Sequence, residues 1–142
     1  MSMKIGKTLL FLFAGLQALT SLMLMFTSGP STFEADTGVA WEELTSVFPT
    51  VATQFLGTQQ ASLIANLGMA LLGIAILIFA FEKPQRWAWY SMWVLPASAL
   101  PGTIQLANTE TQWGVAIFAG ILILMAVLGL VFSYREIFEK SL

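Results

Sequence analysis

A chain of 142 residues that is 57% hydrophobic and only 10% charged has too few charges to cover a water-facing surface, which excludes an ordinary soluble domain. It has no cysteine and no histidine, which removes disulfides, thiolate nucleophiles and the commonest metal and haem ligands; no cofactor and no metal are expected. A net charge of −2 leaves no basic patch for nucleic acid.

A helix crosses hydrocarbon about 30 Å thick with about 20 apolar residues, each adding about 1.5 Å. The first such run, TLLFLFAGLQALTSLMLMF, ends at Ser28-Gly29-Pro30, where glycine and proline break a helix, and predicts a span over 8–28. Lys4 and Lys7 precede it as in a signal peptide. The run exceeds the usual length of such a segment and no A-x-A cleavage site follows, so retention is expected.

Residues 29–60 form the outer cap. Within it TGVAWEELTSVF reads as a short amphipathic helix, with Thr37 as its cap, Glu42 and Glu43 in early turns where the helix dipole favours anions, and Pro49 as its stop. Pro49 also suits the first turn of another helix. The second span, 61–81, is therefore free to start near Thr50 and rise about 15 Å beyond the bilayer. Val39, Trp41, Leu44, Val47 and Phe48 are available to pack on helix ends or lie at the interface.

The third span, 87–107, opens within KPQRWAWYSMWVLPASALP, and Pro96 and Pro101 predict that it bends. The fourth covers 113–134. The expected fold is all-α: a polytopic membrane protein with four transmembrane helices in one bundle, a single membrane domain over 1–142, and a short outer helix between the first two spans.

All six basic residues fall at the N-terminus (Lys4, Lys7), between the second and third spans (Lys83, Arg86) or after the fourth (Arg135, Lys140). The other side carries Glu34, Asp36, Glu42, Glu43 and Glu110 and no lysine or arginine. The positive-inside rule therefore puts both termini in the cytoplasm, with the chain in a cell membrane of the bacterial inner-membrane kind.

Two groups of side chains are candidates for binding. Trp87, Trp89, Tyr90 and Trp93 follow the cations Lys83 and Arg86 at headgroup depth, where an aromatic belt is the ordinary reading. Helical spacing divides them into two faces. Trp89 and Trp93 are the pair expected to meet a partner helix or lipid, while Trp87 and Tyr90, with Trp113, Tyr134, Arg86 and Lys83, anchor the interface. The second group is the amides Gln17, Asn66, Gln105 and Asn108, read either as glue between helices or as the lining of an outward-opening polar cavity. No ionisable side chain lies deep in a span, which argues against a proton relay, an ion-coupled transporter or a voltage sensor. Ala61 and Ala65, Ala116 and Gly120, and Gly15, Gly68, Gly73 and Gly129 supply small faces on which helices can close.

At KPQRWAWYSMWVLP and the outer TGVAWEEL, the layout resembles small bacterial four-helix membrane proteins of the DoxX-like kind. The resemblance implies the helix order and transfers no catalytic residue. Four-helix sterol isomerases and sterol-binding proteins are similar in size, but their membrane-embedded acids have no counterpart here.

Three function classes follow. A non-catalytic accessory, assembly or stabilising subunit of a larger membrane complex needs only helix faces and is the leading expectation. A lipid-, quinone- or pigment-binding protein would use the aromatic and amide groups. A membrane enzyme would have to work with surface carboxylates and ranks third. The expected partners are membrane lipids, other membrane subunits or a second copy of the chain, and no nucleic acid.

Overall fold

The computed structural model describes residues 2–27, 29–81, 85–108 and 113–138, and no strand occurs among them. The helices are α1 (Ser2–Thr27), α2 (Pro30–Thr37), α3 (Trp41–Val47), α4 (Pro49–Phe79), α5 (Arg86–Met92), α6 (Val94–Ala107) and α7 (Trp113–Phe138). Three are long and apolar enough to cross a membrane: α1 over Lys4–Thr27, α4 over Pro49–Phe79 and α7 over Trp113–Tyr134. In the apolar window of each, only 22% of residues are buried within the protein. Most of the apolar surface faces outward, as it must where the surrounding solvent is hydrocarbon.

The third expected span differs. It is two helices of 7 and 14 residues that meet at Trp93, and neither alone has the length of a crossing. Pro96 accounts for the break. It has no N–H to give the Met92 carbonyl four residues back, and its ring crowds that carbonyl. The Trp93 N–H bonds the Tyr90 carbonyl at 3.2 Å, a tightened turn, and the helix resumes with Ala97 N–H on the Trp93 carbonyl. Pro101, by contrast, sits inside α6 without ending it.

The outer segment also departs from expectation. Two helices replace the single one, and Thr37 closes α2 where it was expected to cap α3. Its hydroxyl bonds back to the Phe33 carbonyl at 2.7 Å, and Gly38 follows in the left-handed region that ends a helix without strain. The N-terminus of α3 is held by Glu34, whose Oε1 accepts the Trp41 N–H at 2.8 Å. Glu42 and Glu43 do occupy the first turn of α3, and Pro49 does open α4. At 31 residues α4 is about 46 Å long, so it outruns a hydrocarbon core as expected. Phe33, Trp41 and Phe55 meet edge-on or tilted, with centroids 5.2 to 6.2 Å apart, and pin α2 and α3 to α4. Val39, Val47 and Phe48 stay exposed.

α1 packs along both α7 and α4, and α6 lies on α7; Gly6 meets Ser133 while Leu10 meets Gly129, so α1 and α7 run antiparallel. Burial is uneven along them. Leu10, Phe13, Leu77, Phe81, Met92, Leu95, Leu130 and Ile137 form one core, all near the end that holds Lys4, Lys7 and Arg86. Here α1 and α7 touch backbone to backbone: a Cβ built on Gly6 would lie 2.5 Å from the Gly129 carbonyl oxygen. Ser133, fully buried, donates to the Gly129 and Leu130 carbonyls of its own helix and so adds no unpaired group to this seam. Of the expected small faces, Gly129 and Gly73 make close approaches, the latter against Leu95, whereas Gly15 and Gly68 face open space and Ala61 and Ala65 are exposed.

Candidate functional site

The far half of the molecule is less filled. A cavity of about 280 Å³ lies between α1, α4, α6 and α7. Gln17, Thr20 and Ser21 come from α1, Asn66 from α4, Ser98 and Thr103 from α6, and Phe118 and Leu122 from α7. Thr20, Leu24, Val115 and Phe118 at its rim are exposed, so it opens to the surroundings. No charged side chain stands among the described lining residues.

The polar inventory of this cavity decides what it suits. Ser98 Oγ donates to the Leu95 carbonyl and Thr103 Oγ1 to the Ala99 carbonyl, each at 2.9 Å, so both hydroxyls have spent their proton and retain acceptor lone pairs. Gln17 Oε1 is buried and has no hydrogen-bond partner among the described residues. An unmet amide oxygen away from water costs about 1–3 kcal/mol. Replacing it with an apolar side chain of similar volume removes that cost. Gln17→Met should therefore raise the melting temperature of delipidated protein, by the equivalent of about 1 kcal/mol, in a detergent thermal-unfolding series; a lower melting temperature would mean that Gln17 already has its partner.

Of the four amides expected to act together, the structure brings Gln17 and Asn66 to the cavity. Asn108 is exposed in the turn after α6 and does not line it. Gln105 belongs to α6, but its side chain lies outside the described part, as does Lys83 altogether. Ser21, Ser98 and Thr103 were not singled out in the sequence. Small hydroxyl residues in apolar helices look like packing spacers until their neighbours are known.

The aromatic candidates lie at the other end. Trp89 is the hub: its indole N–H donates to the Leu130 carbonyl at 2.9 Å, and its ring meets Tyr90, Trp93, Tyr134 and Phe138 edge-on with centroids 5.3 to 5.7 Å apart. Tyr134 stacks on Phe138 at 4.7 Å, and the Arg86 guanidinium lies over the Phe138 ring at 5.4 Å. Trp89 and Trp93 pack on each other, as their helical spacing leads one to expect, and Tyr90 meets the Trp89 ring as well. Trp87 stands apart and donates its indole N–H to the Gln85 side chain. Trp87, Tyr90, Tyr134 and Trp113 are each about half exposed, the geometry of an amphipathic ring at a boundary. A hollow of about 480 Å³ beside Lys4, Lys7 and Phe11 is larger than the inter-helix cavity, but its described lining residues all belong to α1.

No family model, curated protein or solved structure matches this chain.

Proposed function

We propose that this protein is a four-span membrane protein that works by holding a small neutral amphiphile between its helices, without catalysis. The observation that carries this reading is the cavity between α1, α4, α6 and α7, apolar in most of its walls and furnished with a few polar side chains, among them Gln17, Asn66, Ser98 and Thr103. A role as an accessory subunit asks only for helix faces, and such a role does not call for an open hollow between the helices. Few convergent polar groups in an apolar hollow is the usual make-up of a small-molecule site.

The fourth crossing in this reading is the interrupted pair α5 and α6, counted as one segment over 86–107. Membrane helices accept a proline break where neighbouring helices and side chains surround it. Trp89, through Leu130, Tyr134 and Phe138, and Tyr90, through Phe138, stitch that segment to α7 rather than serving the amphiphile.

Mild-detergent purification followed by mass spectrometry of what is retained tests the function. A stoichiometric neutral amphiphile is the expected result; a stoichiometric protein subunit with no amphiphile would restore the accessory role. Orientation is tested separately. With no lysine or arginine in 29–60 or 108–112 of the sequence, single cysteines at Ser31 and Thr109 should react with an impermeant thiol reagent in intact cells while one at Gln85 stays protected. Labelling at Gln85 alone would invert the topology.

A further inference from the structure

We infer that the amphiphile lies in this cavity with its polar end inward, toward the middle of the membrane, and its chain trailing outward; the inference rests on the cavity reading above and adds the ligand's orientation and class. The levels of the lining residues carry it. Leu10 meets Gly129, the Trp89 indole bonds the Leu130 carbonyl, and Gly73 meets Leu95, which sets the register of the four helices near the basic end. Counted outward from those contacts at about 1.5 Å per residue, the cavity divides into levels about one turn apart. Phe13, a member of the packed core, is the floor. Gln17 and Ser98 come next, and Thr20, Ser21, Asn66 and Thr103 lie about a turn above them. The outermost level is Leu24, Leu63, Leu106 and Val115, one apolar side chain from each helix.

An apolar floor, a polar middle and an apolar collar reverse the order that an ordinary bilayer lipid meets, whose polar end faces water. The floor is closed by the core, so a chain cannot continue inward beneath the polar levels. At about 280 Å³ the cavity is at the small end of ligand pockets, enough for the polar end of a lipid and the first part of its chain. The remainder passes the collar, where Leu24, Val115 and Phe118 are exposed, and leaves sideways into hydrocarbon. The polar levels offer donors and acceptors together and, among the described lining residues, no charge, so they select by charge and size and not by the sense of a hydrogen bond. A phosphate, carboxylate or ammonium there would lose its water with no counter-ion to receive it. The class is thus a long-chain lipid with a small uncharged head.

The test uses full-length protein in phosphatidylcholine nanodiscs and a long-chain primary carboxamide made in two forms, with a photoreactive diazirine either beside the amide or at the far end of the chain. After irradiation, adducts are located to the residue by tandem mass spectrometry. The head-end diazirine should label 17–21 and 98–103, and the chain-end diazirine should label α1 and α7 around Leu24 and Val115. The reverse pattern would overturn the inward orientation and leave the cavity reading standing. Adducts of both forms no more frequent at the cavity than at Ile117, Ile121 and Leu124, on the exposed side of α7, would overturn both. The corresponding long-chain amine with its diazirine at the head, an ammonium at about pH 6, should label 17–21 and 98–103 at least about tenfold less than the carboxamide. Equal labelling by the two would overturn the uncharged head. Gly102→Leu adds a side chain at a lining position where nothing lies within 4 Å, so the protein should keep its melting temperature and lose the head-end adducts at 17–21. Adducts that persist there in the folded variant would place the ligand outside the cavity and overturn the reading on which the inference rests.

Discussion

Gly6→Val should prevent α1 from seating on α7. A Cβ there would stand 2.5 Å from the Gly129 carbonyl oxygen and 3.1 Å from the Ser133 backbone nitrogen, and both belong to the backbone of the facing helix. Side chains can turn aside from a clash and a helix backbone cannot, so the two helices must part. Separation also opens the contacts of Leu10 and Leu130 in the core nearby. Overpacking of a well-fitted interior costs about 1–3 kcal/mol, and a branched side chain against a carbonyl belongs at the upper end. Thermal unfolding in detergent should show a large fall in melting temperature. The same change at Gly15 or Gly68, where nothing lies within 4 Å, should leave it nearly unchanged. Similar losses at all three positions would mean that close approach to α7 is not what sets Gly6 apart, since valine has the higher helix propensity and a propensity effect would run the other way.

Trp89→Ala should be the most damaging single truncation in the aromatic cluster. It removes the ring that four other aromatics share and the indole donor to the Leu130 carbonyl, and so unfastens α5 from α7. Truncating a packed tryptophan costs about 3 kcal/mol or more. Trp89→Phe keeps much of the ring contact and gives up the hydrogen bond alone, for about 1 kcal/mol. Trp87→Ala, at an exposed ring bonded only to nearby Gln85, should be mild. Melting temperatures of the three variants should fall in that order below wild type; a Trp87→Ala loss as large as Trp89→Ala would dissolve the distinction between fastener and boundary residue.

The unequal legibility of this chain has physical causes. Long apolar runs are local facts, and they place α1, α4 and α7 correctly, including the early start of α4 at Pro49. The extent of the proline effect was less visible: Pro96 and Pro101 look alike in sequence, yet the helix breaks a turn before the first and continues through the second. Which of two prolines breaks a helix depends on whether neighbours satisfy the freed carbonyl, a tertiary matter. Thr37 was misplaced because its hydroxyl can serve either end of a helix, and the side chain that holds α3 comes from Glu34, seven residues before Trp41. For the candidate site, Gln17 and Asn66 stood out as amides in apolar runs, whereas their company on α6 depends on how helices are rotated about their axes. The same rotation explains Tyr90, whose ring joins Trp89 although helical spacing set them on different faces.

The break at Trp93 has a consequence for how the chain enters a bilayer. A segment inserts on its own when its length and apolarity suffice, and α1, α4 and α7 each meet that standard. The pair α5 and α6 does not, since its apolar length is divided and the carbonyl of Met92 lacks the amide proton that Pro96 cannot supply. Lipid alone offers no partner for that carbonyl. In the four-span reading proposed above, the pair is fastened only once α7 emerges, bringing the Leu130 carbonyl and the rings of Tyr134 and Phe138 that Trp89 engages. On this account the last helix is a chaperone for the one before it, and a chain truncated ahead of residue 113 should leave 86–107 outside the hydrocarbon.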